Sequence, residues 1–225
     1  MKLSPADFLQ ALWRERATAI LRTDDQEVAA RAMEAAVRGG FRSIEFTMTV
    51  PGVLELIGHF SKRDDLVVGA GTVLTVEQAA QAVDAGATFL VSPVTDEQVI
   101  RSASELGVSI IPGTYSPSEM WRAHQAGAQL QKLFPVTAGG PAHIKAILGP
   151  MPFCRIVPTS GVDASNAAAY LEAGAFAVGF VATLFDATRL AAGDFAAIEE
   201  QARRLLSIVA GVSRPDQPPT LSAPS

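Results

Sequence analysis

Four lysines occur in the chain, Lys2, Lys62, Lys132 and Lys145, and one of them stands where a lysine is costly. Lys2 lies in the leading segment, Lys62 precedes a turn, and Lys145 falls in a helical stretch. Lys132 lies inside the apolar run Leu130–Phe134, where strand alternation puts Leu130, Lys132 and Phe134 on one face. A buried ammonium must find a partner or give up its proton. Desolvation lowers a lysine pKa, and the neutral amine attacks a carbonyl to form a Schiff base. Glu45 poses the same question from the acid side, because it sits between Ile44 and Phe46 in another apolar run. Burial raises a carboxyl into the range useful for proton transfer. A purely structural pairing of Lys132 with Glu45 is the alternative. The two readings are compatible, since an acid beside an imine-forming lysine can shuttle the protons of carbinolamine, imine and enamine.

Two further groups suit a carboxylate-bearing substrate. Arg22 is the one cation at the end of a run on the same side, placed to clamp a carboxylate; a solvated turn residue is its plain alternative. Thr72 closes the turn Gly69-Ala70-Gly71-Thr72, where a hydroxyl and backbone N–H groups can hold a small anion. A tight strand-to-helix turn explains that segment equally well. His59, His124 and His143 all fall in helical stretches without metal-ligand spacing, so no metal is expected. Cys154 reads as a packing residue, and Trp13 and Trp121, in helical stretches, as core or interface residues.

The elements that must position these groups alternate regularly. Short apolar runs occur at Thr18–Leu21, Ser43–Phe46, Leu66–Val68, Phe89–Val91, Ser109–Ile111, Leu130–Phe134, Arg155–Val157 and Ala177–Val181. Alanine-rich helical stretches follow at Gln26–Arg38, Pro51–Ser61, Val76–Ala85, Asp96–Glu105, Pro117–Ala126, Pro141–Leu148, Ala164–Glu172 and Ile198–Val209. Thr95-Asp96, Ser116-Pro117 and Asp163-Ala164 are the expected helix starts. Eight such pairs predict an α/β fold, a (β/α)8 TIM barrel, with Met1–Arg16 as an extra N-terminal helix plugging or flanking it. Gly40, Gly86, Gly127 and Gly174 lie 46, 41 and 47 residues apart, about two strand–helix units each time, and read as helix C-caps. An open doubly wound sheet would want a glycine-rich loop after the first strand, where the chain reads Arg22-Thr23-Asp24-Asp25.

Composition narrows the function classes. The chain has 225 residues, 48% hydrophobic and 18% charged, which suits one packed domain over residues 1–212. Ser213–Ser225 is proline- and serine-rich and reads as a disordered tail. A net charge of −5 with no basic run argues against nucleic acid. No apolar run is long enough to span a membrane, the N-terminal stretch lacks a signal peptide's pattern, and a single cysteine permits no internal disulfide. The expectation is a soluble, cytoplasmic protein.

The residues reached so far resemble one family, the 2-keto-3-deoxy-6-phosphogluconate (KDPG) and 4-hydroxy-2-oxoglutarate (KHG) aldolases. The resembling segments are Ile44-Glu45-Phe46-Thr47, Gly69-Ala70-Gly71-Thr72-Val73, Val91-Ser92-Pro93, Ile111-Pro112-Gly113, Lys132-Leu133-Phe134-Pro135, Gly149-Pro150 and Val157-Pro158-Thr159, in the family's order, over about residues 6–210. The resemblance implies a metal-independent class I aldolase, a carbon–carbon lyase that cleaves a 2-keto-4-hydroxy acid to pyruvate and an aldehyde. It implies no cofactor beyond the covalent lysine imine, a small keto acid as partner, and a homotrimer. By position, Lys132 would be the Schiff-base lysine and Glu45 the general acid/base. Thr72 would contact the pyruvate carboxylate, and Pro93 and Phe134 would line its pocket. Some members hold that carboxylate with an arginine where this chain has Thr49. Others have a threonine there and an arginine after the first strand, which Arg22 matches.

The far end departs from the pattern. Thr159-Ser160-Gly161 replaces Thr-Gly-Gly after the seventh strand; these three residues would still border the substrate. Gly179-Phe180-Val181-Ala182-Thr183 replaces a glycine–serine segment after the eighth. Bulky Phe180 and Val181 are expected to disfavour a phosphoryl group, which leaves the substrate's phosphorylation in question. Two other readings stay open: an isomerase or epimerase acting on a sugar phosphate, and a non-catalytic barrel that binds a small keto acid.

Overall fold

The computed structural model describes residues 3–136 and 139–213. Nine short strands run through it: β1 (Ala17–Leu21), β2 (Ser43–Thr47), β3 (Val67–Gly71), β4 (Phe89–Val91), β5 (Ser109–Ile111), β6 (Gly113–Thr114), β7 (Gln131–Leu133), β8 (Ile156–Pro158) and β9 (Val178–Phe180). The helices are α1 (Pro5–Glu15), α2 (Gln26–Arg38), α3 (Val53–Phe60), α4 (Val76–Asp84), α5 (Glu97–Glu105), α6 (Pro117–Gln125), α7 (Gly140–Leu148), α8 (Ala167–Glu172), α9 (Ala187–Ala192) and α10 (Phe195–Ala210). Every strand pair is parallel. One sheet has the order β5-β4-β3-β2-β1-β9 and the other the order β6-β7-β8. The sheets meet at both ends. Pro112 alone separates β5 from β6, and a parallel bridge joins Thr159, just past β8, to Gly179 of β9.

The ends of the helices explain the regular repeat. Asp96 and Ser116 cap α5 and α6 with their side chains, and Ser116 forms a reciprocal capping box with Glu119. At the other end, Gly86, Gly127 and Gly174 adopt φ between 102° and 111°, and the following N–H reaches back over the last turn: Ala87 to Ala82, Ala128 to Ala123 and Ala175 to Tyr170. These are Schellman turns, and each leads the chain out of its helix toward the next strand. One expected start shifts. Asp163 does not open α8; it accepts hydrogen bonds from the Ser165 N–H and hydroxyl, and the helix begins three residues further on, past Asn166. An Asx turn competes with a helix cap for the same carboxylate.

Two cores divide the apolar residues. The larger lies between strands and helices and takes one face of each strand, including Ala19, Ile44, Phe46, Val68, Leu90, Leu133 and Phe180. The smaller holds the opposite faces of the strands, with Phe89, Val91, Ile111, Leu130, Val157 and Ala177. Phe8 and Leu12 of α1 complete it, Phe8 stacking on Phe89 with ring centroids 4.7 Å apart. Glu45 and Lys132 emerge on this inner side, one layer above the apolar plug.

Residues 214–225, most of the expected tail, lie outside the described residues, as do Met1 and Lys2. Among the described residues no helix is long and apolar enough to cross a membrane.

Candidate active site

Glu45 on β2 and Lys132 on β7 come from different sheets and line one pocket, together with Thr18, Ile20, Phe89, Val91, Ile111, Val157, Thr159 and Gly179. Glu45 is 2% exposed and Lys132 7%. Burial pushes the Glu45 carboxyl up to about 7, against the lowering pull of Lys132 and then of Arg22. Burial likewise brings the Lys132 ammonium down; Glu45 opposes that shift and Arg22 adds to it. The carboxyl is therefore poised to take up and release a proton near neutrality, beside an amine easier to deprotonate than an ordinary lysine. Lys132 Nζ also lies 4.6 Å from the centroid of the Phe134 ring. The aromatic face steadies the cation and leaves the amine free of a tight ion pair.

Room for this pair is built into the neighbouring strands. A Cβ at Gly71 would land on the Glu45 carboxylate, so the third strand must be bare beside the acid. Gly179 has the same relation to Thr159, whose Oγ1 would sit 2.7 Å from an added Cβ. The register explains both: Glu45 is level with Gly69 and Thr47 with Gly71 across β2 and β3, while Thr159 bridges Gly179 directly.

At the rim, Arg22 follows β1 and donates from Nη2 to the Thr72 hydroxyl at 3.2 Å, across the top of β2. Thr72 is held at φ 58°, a left-handed conformation unusual for a threonine. The strained turn aims its hydroxyl at the arginine and brings the cation over the acid–amine pair. Thr49 shares a 2.8 Å hydrogen bond with Thr47 and contributes no charge here. Pro93 stands half-buried after β4, and its backbone occupies the space a side chain at Gly113 would need. Phe134 directly follows β7 and leads through a cis peptide bond into Pro135.

The sequence-predicted residues thus fall into three groups. Lys132, Glu45 and Thr159 line the pocket itself; Arg22 and Thr72 form one hydrogen-bonded unit at its rim; Pro93 and Phe134 lie just past the ends of β4 and β7. Ser160 and Gly161 occupy the turn after β8, both left-handed at φ 65° and 99°. One expectation is corrected. Phe180 points outward, fully buried and edge-on to Phe41 at 6.2 Å, so it does not crowd the pocket. Thr18, Gly71 and Gly179 are pocket-forming residues that the search for ionisable groups passed over. Alternation along β1 and β9 places Thr18 with Ile20 and Gly179 with Ala177, and that was the available signal. Among the described residues no group of histidine, cysteine and acidic side chains converges to hold a metal ion.

A buried amine and a buried acid on the inner face of curled parallel strands define an α/β enzyme equipped for carbonyl chemistry. The comparisons specify the kind. The chain belongs to the KDPG and KHG aldolase family, whose profile matches residues 10–201, and is accordingly a carbon–carbon lyase. It is 36% identical over 204 residues to the 2-dehydro-3-deoxy-phosphogluconate aldolase of Treponema pallidum, covering 90% of this chain and 97% of that one. A Legionella pneumophila KDPG aldolase, solved with pyruvate captured as a covalent carbinolamine intermediate, superposes with a TM-score of 0.79 at 26% identity, over 91% of this chain and 99% of that one. A cube-shaped protein cage made by fusing symmetric oligomeric domains superposes with a TM-score of 0.80 at 28% identity, over 87% of this chain and 72% of that one.

Proposed function

We propose that this chain is a class I aldolase that cleaves a 2-keto-4-hydroxy acid of the KDPG or KHG type to pyruvate and an aldehyde through an imine on Lys132. The observation that carries the reading is Lys132, the one buried lysine among the described residues, its proton loosened by burial, sharing a pocket with a buried glutamate whose carboxyl is pushed up to about 7. The Lys132 amine attacks the C2 ketone, giving a carbinolamine. Water leaves with a proton supplied by Glu45, and the protonated imine becomes an electron sink. Glu45, now a carboxylate, takes the proton of the C4 hydroxyl; the C3–C4 bond breaks, and its electron pair moves into the imine as an enamine. Protonation at C3 and hydrolysis then release pyruvate and the free amine. Arg22, with Thr72 beside it, pairs with the substrate carboxylate, and Pro93 and Phe134 border the pyruvate portion. Thr159, Ser160 and Gly161 face the remainder of the substrate. No metal or cofactor enters these steps.

The scaffold suits the reading. The Pro112 junction and the Thr159–Gly179 bridge support one closed (β/α)8 barrel, with β5 and β6 as one strand and α1 across the end remote from the catalytic pair. A homotrimer is the assembly we propose, consistent with the symmetric oligomeric domains of the cage relative.

Borohydride reduction in the presence of pyruvate, followed by peptide mapping, tests the chemistry. The expected result is a reduced pyruvate adduct on the peptide holding Lys132, with neither adduct nor turnover in Lys132→Ala. An adduct on a different lysine, or turnover within about tenfold of the parent protein in that variant, would overturn the assignment.

A further inference from the structure

Pro112 marks the place where the chain lets go of one neighbouring strand and takes another. Before it, β5 pairs with β4, up to Val91 level with Ile111. After it, β6 pairs with β7, Gly113 level with Lys132 and Thr114 with Leu133. Two prolines stand at this seam, Pro112 itself and Pro93 in the loop after β4, and neither has an N–H to give to a ladder. Two parts of the proposed pyruvate site meet there as well: Pro93 on the loop and Lys132 on β7.

The backbone groups at the seam can be followed one by one. From β4 to β5 the Ser92 N–H donates to the Ile111 carbonyl at 3.2 Å. Two residues further on, the next rung would run from the Val94 N–H to the Gly113 carbonyl. The Val94 N–H turns instead to the Ser92 hydroxyl at 3.3 Å. The Gly113 carbonyl is taken by Thr95, whose hydroxyl donates to it at 2.7 Å. A Cβ at Gly113 would strike the Pro93 carbonyl group, so the loop lies directly against β6 at this point. On the other side the Lys132 N–H donates to the Pro112 carbonyl at 2.9 Å, and the Phe134 N–H to the Thr114 carbonyl at 3.0 Å. Between them the buried Thr114 donates its hydroxyl to the Lys132 carbonyl at 3.0 Å. The peptide groups on both sides of Lys132 are thus fastened to the short run Pro112–Thr114.

Threonine side chains therefore supply donors where the prolines withdraw them. The amine of a lysine moves with any tilt of its own peptide, and misplacing a reacting group by about 1 Å can cost about 10²-fold in rate.

We infer that Thr95 and Thr114 are positioning residues of this site, Thr114 aiming Lys132 through its carbonyl and Thr95 holding the loop that carries Pro93 against the same strand. The inference rests on the aldolase reading above and adds to it two residues that touch no substrate.

The test is steady-state kinetics with 4-hydroxy-2-oxoglutarate, beside the rate at which borohydride traps pyruvate on Lys132. Thr114→Val keeps the shape of the side chain and removes the donor. It should lower kcat and the trapping rate about tenfold and leave KM within about twofold, because Arg22 and Thr72 still hold the carboxylate. Thr114→Ser, which keeps the hydroxyl, should restore most of the rate. Thr95→Val should do the reverse, raising KM severalfold with kcat within about twofold, since the loop borders the bound keto acid and not the amine. A general loosening of the fold would lower the melting temperature in both valine variants and would not split kcat from KM in opposite directions. Should the buried valine fail to fold, Thr114→Ala replaces it against Thr114→Ser.

The inference is overturned by a Thr114→Val variant whose kcat and trapping rate stay within about twofold of the parent protein, by a serine variant no better than the valine, or by Thr95→Val with KM unmoved. Trapping in the parent protein keeps the failures apart. An adduct on Lys132 with threonine variants that behave like the parent sinks the inference alone; no adduct in the parent sinks the aldolase reading and the inference with it.

Discussion

The two ends of the pocket are built from different material. At the pyruvate end the polar groups are charged side chains: a glutamate and a lysine set into apolar strands, and an arginine locked to a strained threonine. The buried acid and the buried amine would each be expensive alone, and each is offset in part by the other. At the far end the polar groups are hydroxyls and backbone, several of them committed to one another within the loops. The difference teaches where the chemistry is carried and where specificity is set. Charge placed in strands is rigid and can be held near a reacting atom. Hydroxyls and N–H groups on loops can be reassigned by a single substitution without disturbing the core.

The strongest way to break this contrast is at Glu45. Glu45→Gln keeps the shape of the side chain and removes the titrating proton, so kcat should fall by about 10²- to 10⁴-fold, the usual scale of acid–base catalysis, while borohydride still traps pyruvate on Lys132. The same variant reports on stability. The Glu45 carboxyl is raised from 4.5 to about 7 in the folded protein. The native state thus holds a proton that the unfolded chain releases. Its contribution is fully present below 4.5 and is lost as pH rises through that window, up to about 7. Glu45→Gln removes this slope, so melting temperatures of the parent and variant, followed against pH, should diverge upward through the window with the variant gaining. Parallel curves would show that folding does not raise the Glu45 carboxyl above its unfolded value.

A smaller effect is expected at Arg22. It is exposed, and its substrate bond is made in ground and transition states alike, so Arg22→Ala should act mainly on KM. Losing a charge-assisted hydrogen bond of roughly 1.5–3 kcal/mol corresponds to about a 10- to 100-fold rise in KM for pyruvate-yielding substrates. Steady-state kinetics on two substrates with different far ends sharpens the comparison, because the rise should be the same for both. A rise confined to one of them would place Arg22 at the wrong end.

Much of this was legible in the sequence because charge in a strand breaks the apolar pattern. Lys132 and Glu45 stand out for that reason alone, and their own strands fall within a residue of their expected places, while β3 beside Glu45 runs three residues past its expected end at Val68. What stayed hidden depends on facing and on contacts across the fold. Phe180 was expected to crowd the anion end, but Gly179 takes the inward position of β9 and turns Phe180 out to Phe41. Alternation within that strand already puts Phe180 on the face opposite Gly179. The link between Arg22 and Thr72 spans 50 residues and depends on a left-handed threonine, which no local pattern announces. The short helix α9 went unread because its six residues, ATRLAA, lack a long apolar period. The strand β6 was equally silent, since a proline just past the apolar run Ser109–Ile111 does not say whether the chain leaves the sheet or takes a new partner.

The smallest and most discriminating effect belongs to Thr183. If its hydroxyl serves the fold by bonding the Val162 carbonyl, Thr183→Val leaves that carbonyl without its donor and changes little else. The cost should be about 1 kcal/mol, a fall of roughly 2–4 °C in melting temperature for a chain of this size. Turnover of neutral and phosphorylated substrates should be reduced alike or not at all. A hydroxyl that instead served an anionic substrate would leave the melting temperature unmoved and lower kcat/KM for the phosphorylated acid by tenfold or more. Calorimetry and kinetics on this one variant therefore give opposite signatures for a loop that closes on itself and a loop that closes on a phosphate, and the geometry of Thr183 predicts the first.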